Sequence, residues 1–558
     1  MRKVFPLFVA LGLVLAACQP TASESPAASE VAAQSAAPFS PMSYPEGGPA
    51  DCDYGGEFAE IKAIDELTVE FTLCYPDPAF LSKIAFTANA ILDTADIENN
   101  MENHLILAAP NGTGPYSLTQ WQRGIQLVLD KNPDYWGENV GADQLVFRWS
   151  TESAARLLEL QAGTVDGIDN PAPNDFATIE GDPTLQLITR EALNTFYVGF
   201  NENYEPFDDV RVRQALAMGI DRQRIVDQFY PPGSVTASHF TPCAIELACE
   251  GEEWYEFDLA GARALLAEAG LANGFSTVLN YRDVVRSYLP DPNIVAVDLQ
   301  AQLLDNLGID AQIEVQESGT FIDNSSAGLL DGIYLLGWGA DYPDPTNFLD
   351  FHFNAPTNRQ FGDIDPSVTG PLTTGATTLD TEVRRAAYEE ANNAIRETVP
   401  MVPISHGASA TAWLANVEGA HASPLGNESF AHVTPADDQM VWMQNAEPIA
   451  LYCADETDGE TLRLCEQVTE PLYVYEVGQT NAIPALAEEC VGNEDATAFT
   501  CTLRSGVTYH NGATFDANDV VLSYAVQWDM AHPLHIGRTG EFVYFGAFFA
   551  QFLNTPEE

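Results

Sequence analysis

One stretch of the chain carries residue types suited to holding a ligand: Gly337-Trp338-Gly339-Ala340-Asp341-Tyr342-Pro343-Asp344-Pro345. The apolar run IYLLGW predicts a strand that delivers a glycine-flanked aromatic, then an acid, to its end. In open α/β proteins the ligand cleft lies at such strand ends. An ionised carboxylate there makes charge-assisted hydrogen bonds to a cationic group. The same residues also suit a packing tryptophan and a turn-capping aspartate, because acids and glycines are ordinary turn residues.

Catalytic patterns are missing. The sequence has no Gly-x-Ser-x-Gly elbow, no His-Glu-x-x-His and no phosphate-cradling glycine loop, so no catalytic residue is assigned and an enzyme is not expected. His532 and His535 stand three apart without a third ligand nearby, and no cysteine pair has C-x-x-C spacing. Neither a metal nor a cofactor is expected.

The first residues fix the compartment. Arg2 and Lys3 precede an apolar run from Val4 to Leu15, and Leu15-Ala16-Ala17-Cys18 places small residues before a cysteine. This is the pattern of a lipoprotein signal, cleaved after residue 17 with lipid on Cys18. An ordinary secretory signal is the alternative. From Gln19 to about Pro41 the chain is rich in Ser, Ala, Pro and Glu, with too little apolar surface to fold, and should be a tether.

With 558 residues and 46% hydrophobic content the chain can build two lobes or more. Its net charge is -58, with lysine only at positions 3, 62, 83 and 131. Such a surface repels nucleic acid and anionic membrane faces, and its even spread along the chain points to solubility more than to one site. Without Cys18, eight cysteines remain, an even number that suits an oxidising exterior. They fall as sequence neighbours. Cys490 and Cys501 suit a bridge across a hairpin, Cys243 with Cys249 and Cys453 with Cys465 would close short loops, and Cys52 could pin the start of the folded part to the strand holding Cys74.

The elements that must position these residues alternate. Strands are predicted at Ile61 to Leu73, in GTGPYSLTQW, IQLVLDKNPDYW and LVFRWS, and at FYVGFN. Helices are predicted in ESAARLLELQAGTVDGI, PFDDVRVRQALAMGIDRQRIVDQFY, DLAGARALLAEAGL, NIVAVDLQAQLLDNLGI and TEVRRAAYEEANNAIRET. This alternation makes the protein α/β.

The segments EPLYVYE, IPALAEEC, FTCTLRSGVTYHNGATFDANDVVLSY and FFAQFLN, near the C-terminus, resemble the opening region of the extracytoplasmic peptide and nickel solute-binding proteins of ABC importers. The pieces that come after them in that family, IKAIDELTVEFTL and GTGPY, stand near the N-terminus here, so the chain resembles a circular permutant. The resemblance implies a periplasmic-binding-protein-like type II fold, with two lobes joined by a hinge and an extra small subdomain in lobe one. It implies a signal at 1–17, a tether at 18–50, lobe one at 51–204 and 420–558, and lobe two at 205–419. FYVGFN would lead out of lobe one into a lobe-crossing helix, hinges would lie near Asn201 and Gly419, and Leu553 and Ile61 would meet in the small subdomain.

The resemblance also assigns roles. The G-W-x-x-D-Y stretch is similar to that of oligopeptide binders, so Asp341 would meet a ligand α-ammonium. Gly337 and Gly339 would pair backbone with an extended ligand, while Trp338 and Tyr342 complete the pocket. Leu335 stands where some members have an arginine for the ligand carboxylate, and Arg282 or Arg286 in YRDVVRSYLP could replace it or form a surface ion pair. Arg504, Gly506, His510, Gly512 and Asp519 match an architectural motif, with Asp519 or Asp516 starting a helix. The implied function is a lipid-anchored, monomeric, extracytoplasmic protein, in the periplasm or on the outer face of the cell membrane. It would pass a peptide or similar solute to an ABC permease, with nickel, haem and sugars as other ligands of the family. A sensor or chaperone-like binder of the same fold is the alternative, and a hydrolase lacks its machinery.

Overall fold

Three β-sheets organise the protein, and the pairing of their strands decides where the chain passes from one to the next. The computed structural model describes residues 39–137, 140–355 and 358–556. Cys18, the signal and most of the tether lie outside the described residues. Residues 41–558 form one compact unit.

The first large sheet has seven strands in the order Tyr116–Gln122, Gln126–Lys131, Gln144–Trp149, Gln439–Gln444, Gly167–Asp169, Ser409–Leu414 and Leu185–Arg190. Its core is built on Phe147, Trp413, Phe430 and Trp442. The second has six strands in the order Val235–Thr236, Met401–His406, Asn194–Phe200, Ile333–Gly339, Ser276–Arg282 and Asp310–Gln316. Ser276–Arg282 is parallel to both its neighbours, with the helix Pro292–Leu307 as one crossover. Asp291 caps this helix by accepting from Ile294 N, and Gly308 ends it in the left-handed conformation at φ 72°, where glycine has no Cβ penalty.

The crossings between these sheets come earlier than the expected boundaries at 204/205 and 419/420. Asn194–Phe200 (FYVGF with two leading polar residues) is a central strand of the second sheet, because all seven residues are buried and both edges are paired. A strand so apolar on both faces is stable only with cover on both sides. Ser409–Leu414 already belongs to the first sheet. The passages are therefore residues 191–193 and 407–408, not Asn201 and Gly419. They are tied together: the Asn194 amide donates to Gly407 O at 2.7 Å and its Oδ1 accepts from Gly407 N at 2.9 Å.

The expected lobe-crossing helix is two helices, Val210–Gly219 and Arg222–Phe229, and both contribute to the core of the second sheet. Asp221 caps the second helix by accepting from Arg224 N at 3.0 Å, which restarts the chain in a new direction.

A third sheet joins the two ends of the chain: Ser43–Tyr44, Phe58–Asp65, Thr68–Leu73, Ala498–Leu503 and Ala487–Gly492. Ser43 pairs with Lys62, and Met42 N donates to Asn518 Oδ1 at 2.8 Å, so the folded part begins before residue 51 and the tether is shorter than 18–50. Phe58 is fully buried against Phe545, Phe549, Trp528 and Tyr524. The last helix is Val543–Phe549, earlier than FFAQFLN, because Ala550 takes a positive φ of 68° and stops it. Leu553 N then donates to Trp528 O at 2.9 Å. The chain bridges Cys52–Cys74, Cys243–Cys249, Cys453–Cys465 and Cys490–Cys501, with Cys490 directly opposite Cys501 in the hairpin.

Candidate functional site

The strand Ile333–Gly339 runs antiparallel to Asn194–Phe200 and parallel to Ser276–Arg282. Its end leads into the helix Pro345–Phe353, capped by Asp344, which accepts from Thr346 N at 3.0 Å, with Pro345 at the first helical position where its missing N–H costs nothing. Sheet and helix together hold the loop 340–344.

Asp341 is buried at 8% exposure, and among the described residues no cation pairs with it. Asn347 holds it from both sides: Asp341 N donates to Asn347 Oδ1 at 3.0 Å, and Asn347 Nδ2 donates to Asp341 Oδ2 at 3.0 Å. Trp338 Nε1 donates to the same Asn347 Oδ1 at 3.2 Å, so one amide fixes both candidates. Burial pushes the Asp341 carboxyl up to about 7, against the opposing hydrogen bonds of Asn347 and Tyr544. Such a carboxylate favours an incoming cation.

Tyr544 belongs to the last helix, far away in sequence. On the same helix Phe548 meets the Tyr342 ring edge-on at 4.9 Å, and Phe86 packs against Tyr544 at 4.8 Å and Phe548 at 5.3 Å. Tyr342 is buried, its hydroxyl accepting from Thr346 Oγ1 at 3.2 Å. Trp338 stacks on Phe351 at 4.3 Å. Trp338, Asp341 and Tyr342 therefore lie together, and Tyr544 and Phe548 of the C-terminal segment pack against Asp341 and Tyr342.

The two glycines differ. A Cβ at Gly337 would collide with the Tyr288 ring and Thr195 O, so this glycine serves packing inside the sheet. A Cβ at Gly339 would meet nothing within 4 Å, so the space beside this exposed end of the strand is open.

Arg282 is committed to Ser318 Oγ at 3.0 Å and Tyr288 OH at 3.2 Å. Arg286 is half-buried, its guanidinium donates to its neighbour Val285 O at 3.0 Å, and it acts electrostatically on Tyr544. Neither arginine forms a salt bridge among the described residues, so the surface-pair alternative is not what the structure has. Asn347 and Tyr544 contact Asp341, and Arg286 lies near Tyr544. Only Arg286 had a signal in the sequence, as a cation following a strand; the other two need the tertiary structure.

Other candidates fall to architecture. Arg504 lies over the Trp136 ring at 4.2 Å, and His510 Nε2 meets Gly114 O at 3.0 Å. Asp516 is the helix cap and Asp519 its capping-box partner. His535 is bound to Val526 O at 2.7 Å, and His532 accepts from Leu534 N at 3.2 Å. His239, Cys243 and Cys249 bring ligand-type atoms within 4.8 Å of one another, a grouping the sequence spacing did not suggest. The two sulfurs are bonded to each other, which removes the thiolates a zinc site uses.

Residues 24–360 and 481–539 match the model of the bacterial extracellular solute-binding proteins, family 5. The chain belongs to this family. It is 31% identical over 400 residues to a di/tripeptide-binding protein of Pseudomonas aeruginosa, covering 70% of this chain and 74% of that protein. A dipeptide-binding protein of Escherichia coli is 28% identical over 383 residues, covering 67% and 71%. A crystal structure of a dipeptide-binding protein from Pseudoalteromonas, in complex with Met-Leu, superposes with a TM-score of 0.62 at 28% identity, covering 68% of this chain and 76% of that one. As a family 5 member the protein has the type II fold of two lobes and a hinge. No helix among the described residues is long and apolar enough to cross a membrane.

Proposed function

We propose that this family 5 solute-binding protein captures short peptides between its two lobes and delivers them to an ABC permease. The observation that carries it is Asp341, a buried carboxylate without a cation, held by Asn347 beneath aromatic groups from the facing helix. A peptide α-ammonium supplies the missing charge and forms charge-assisted hydrogen bonds. Arg286 stands near Tyr544 with its guanidinium largely uncommitted and takes the ligand carboxylate. The open space beside Gly339 leaves room for the peptide main chain along the strand end. Relatives named for di- and tripeptide binding support the same class of ligand.

Closure is a rotation about residues 191–193 and 407–408, and a ligand that touches both walls favours the closed form. Cys18 carries the lipid that keeps this monomer outside the cytoplasm. The permuted chain order is part of the proposal, supported by the sheet that residues 43–73 share with 487–503.

Calorimetry with di- and tripeptides tests the function. Micromolar or tighter binding is expected, lost in Asp341→Asn; peptide turnover by the purified protein, or no binding by any peptide, would sink it.

A further inference from the structure

Behind Phe86 lies a small enclosed cavity lined by Thr87, His421, Ser423, Asn427, Glu466 and Tyr475, among others. It adjoins the site, since Phe86 lines it and also packs against Tyr544 at 4.8 Å and Phe548 at 5.3 Å. Tyr475 itself is anchored by donating to Ser82 O at 2.6 Å.

The charges of this cavity do not balance. Glu466 accepts from the Thr87 hydroxyl, and no salt bridge reaches it among the described residues. The lining contains no lysine or arginine. Its one histidine is engaged at both ring nitrogens, His421 Nδ1 with Gly419 O at 2.9 Å and Nε2 with Ser429 N at 3.1 Å. Glu466 thus faces the cavity with an acceptor and no cation. The space is about 20 Å³, and a water-sized group needs roughly 10–15 Å³. A primary ammonium has that size and three donors for the oxygens of Glu466, Ser423 and Asn427. A guanidinium is planar and larger.

We propose that this cavity is the end of a side-chain subsite in which Glu466 pairs with a primary ammonium on the ligand's first residue, so that the preferred ligands are short peptides beginning with lysine. The proposal rests on the peptide-binding function above and deepens it. With its α-ammonium on Asp341, such a ligand passes its first side chain along Tyr475 toward Glu466.

The test compares lysyl-leucine, norleucyl-leucine and arginyl-leucine by calorimetry on the full protein and on Glu466→Gln. Norleucine keeps the aliphatic stem and lacks the ammonium. Wild type should bind lysyl-leucine at least tenfold more tightly than either of the others. Glu466→Gln should lose that preference while its affinity for norleucyl-leucine stays within threefold of wild type. Equal binding of the lysyl and norleucyl peptides by wild type overturns the subsite without needing any variant to fold, and leaves peptide capture standing. A preference that survives in a folded Glu466→Gln overturns the role of Glu466. If none of the three peptides binds, peptide capture itself fails and the subsite with it.

Discussion

Two buried acid groups in this protein are treated in opposite ways. Asp169 and Glu428 sit in a closed network: Arg190 reaches Asp169 at 2.7 Å and Glu428 at 2.6 Å, and Arg463 reaches Asp169 at 3.0 Å and Glu428 at 2.6 Å. Burial pushes Asp169 up, but Arg463 and Arg190 together overcome it and hold the carboxyl below its ordinary range. Asp341, equally removed from water, has an amide and a tyrosine and no cation. In the first group arginines complete the charge; at Asp341, the proposed ligand contact, no cation does. Glu470 makes the contrast sharper, since it also lacks a cation but is satisfied by Thr113, Tyr135 and Trp136 at 2.8 to 2.9 Å, all in fixed structure. Absence of a cation is thus not enough to mark a site. Asp341 differs in having only an amide and a tyrosine as partners, two residues from the exposed Gly339.

The largest expected effect comes from breaking the closed network. Arg463→Met leaves buried carboxylates uncompensated and should cost about 3–5 kcal/mol of stability, read from chemical denaturation, while peptide affinity of the folded fraction stays near wild type. If Arg463→Met unfolds no more readily than wild type, the two groups are not different in kind.

Asp341→Asn is the mirror image. Stability should be unchanged or higher, because a carboxylate that burial disfavours is removed, whereas peptide affinity should fall by about 2–5 kcal/mol, the usual loss for one partner of a buried charge pair. A stability loss with intact affinity would make Asp341 architectural.

Arg286→Gln should weaken peptides with a free carboxylate by about 1.5–3 kcal/mol. C-terminally amidated peptides should not respond to it. An equal loss for both forms would mean that Arg286 acts on the loop rather than on the ligand.

The smallest effect is a pH dependence. Asp341 is raised from 3.8 to about 7, so the folded state holds a proton that the unfolded chain releases between those values. This group therefore makes the unliganded protein more stable as pH falls from 7 toward 4, the opposite of a salt-bridged acid. Affinity for an ammonium needs the ionised form and should drop by up to tenfold per pH unit below about 7. Asp341→Asn should flatten that binding profile; the stability profile will flatten less, because burial also raises Asp350 and Glu470 to about 7.

Much of this was legible in the chain. The IYLLGW strand and the turn after it depend on local preferences, apolar runs and turn glycines, whereas the helix that Asp344 caps was not read from the sequence. The four cysteine bridges join sequence neighbours, so short spacing already named them. The boundaries were not legible in the same way. FYVGF reads as a buried strand from composition, but which sheet buries it depends on partners at Ile333–Gly339 and Met401–His406.

By itself, then, the sequence determined an α/β protein with an acid and an aromatic at one strand end, because periodicity, caps and spacing are properties of neighbouring residues. Only the tertiary structure decided that Asp341 would be dry and without a cation, that Tyr544 and Phe548 would face it, and that Glu466 would open onto a cavity. Those features depend on which distant segments exclude water together, and burial of that kind is settled only when the whole chain has packed.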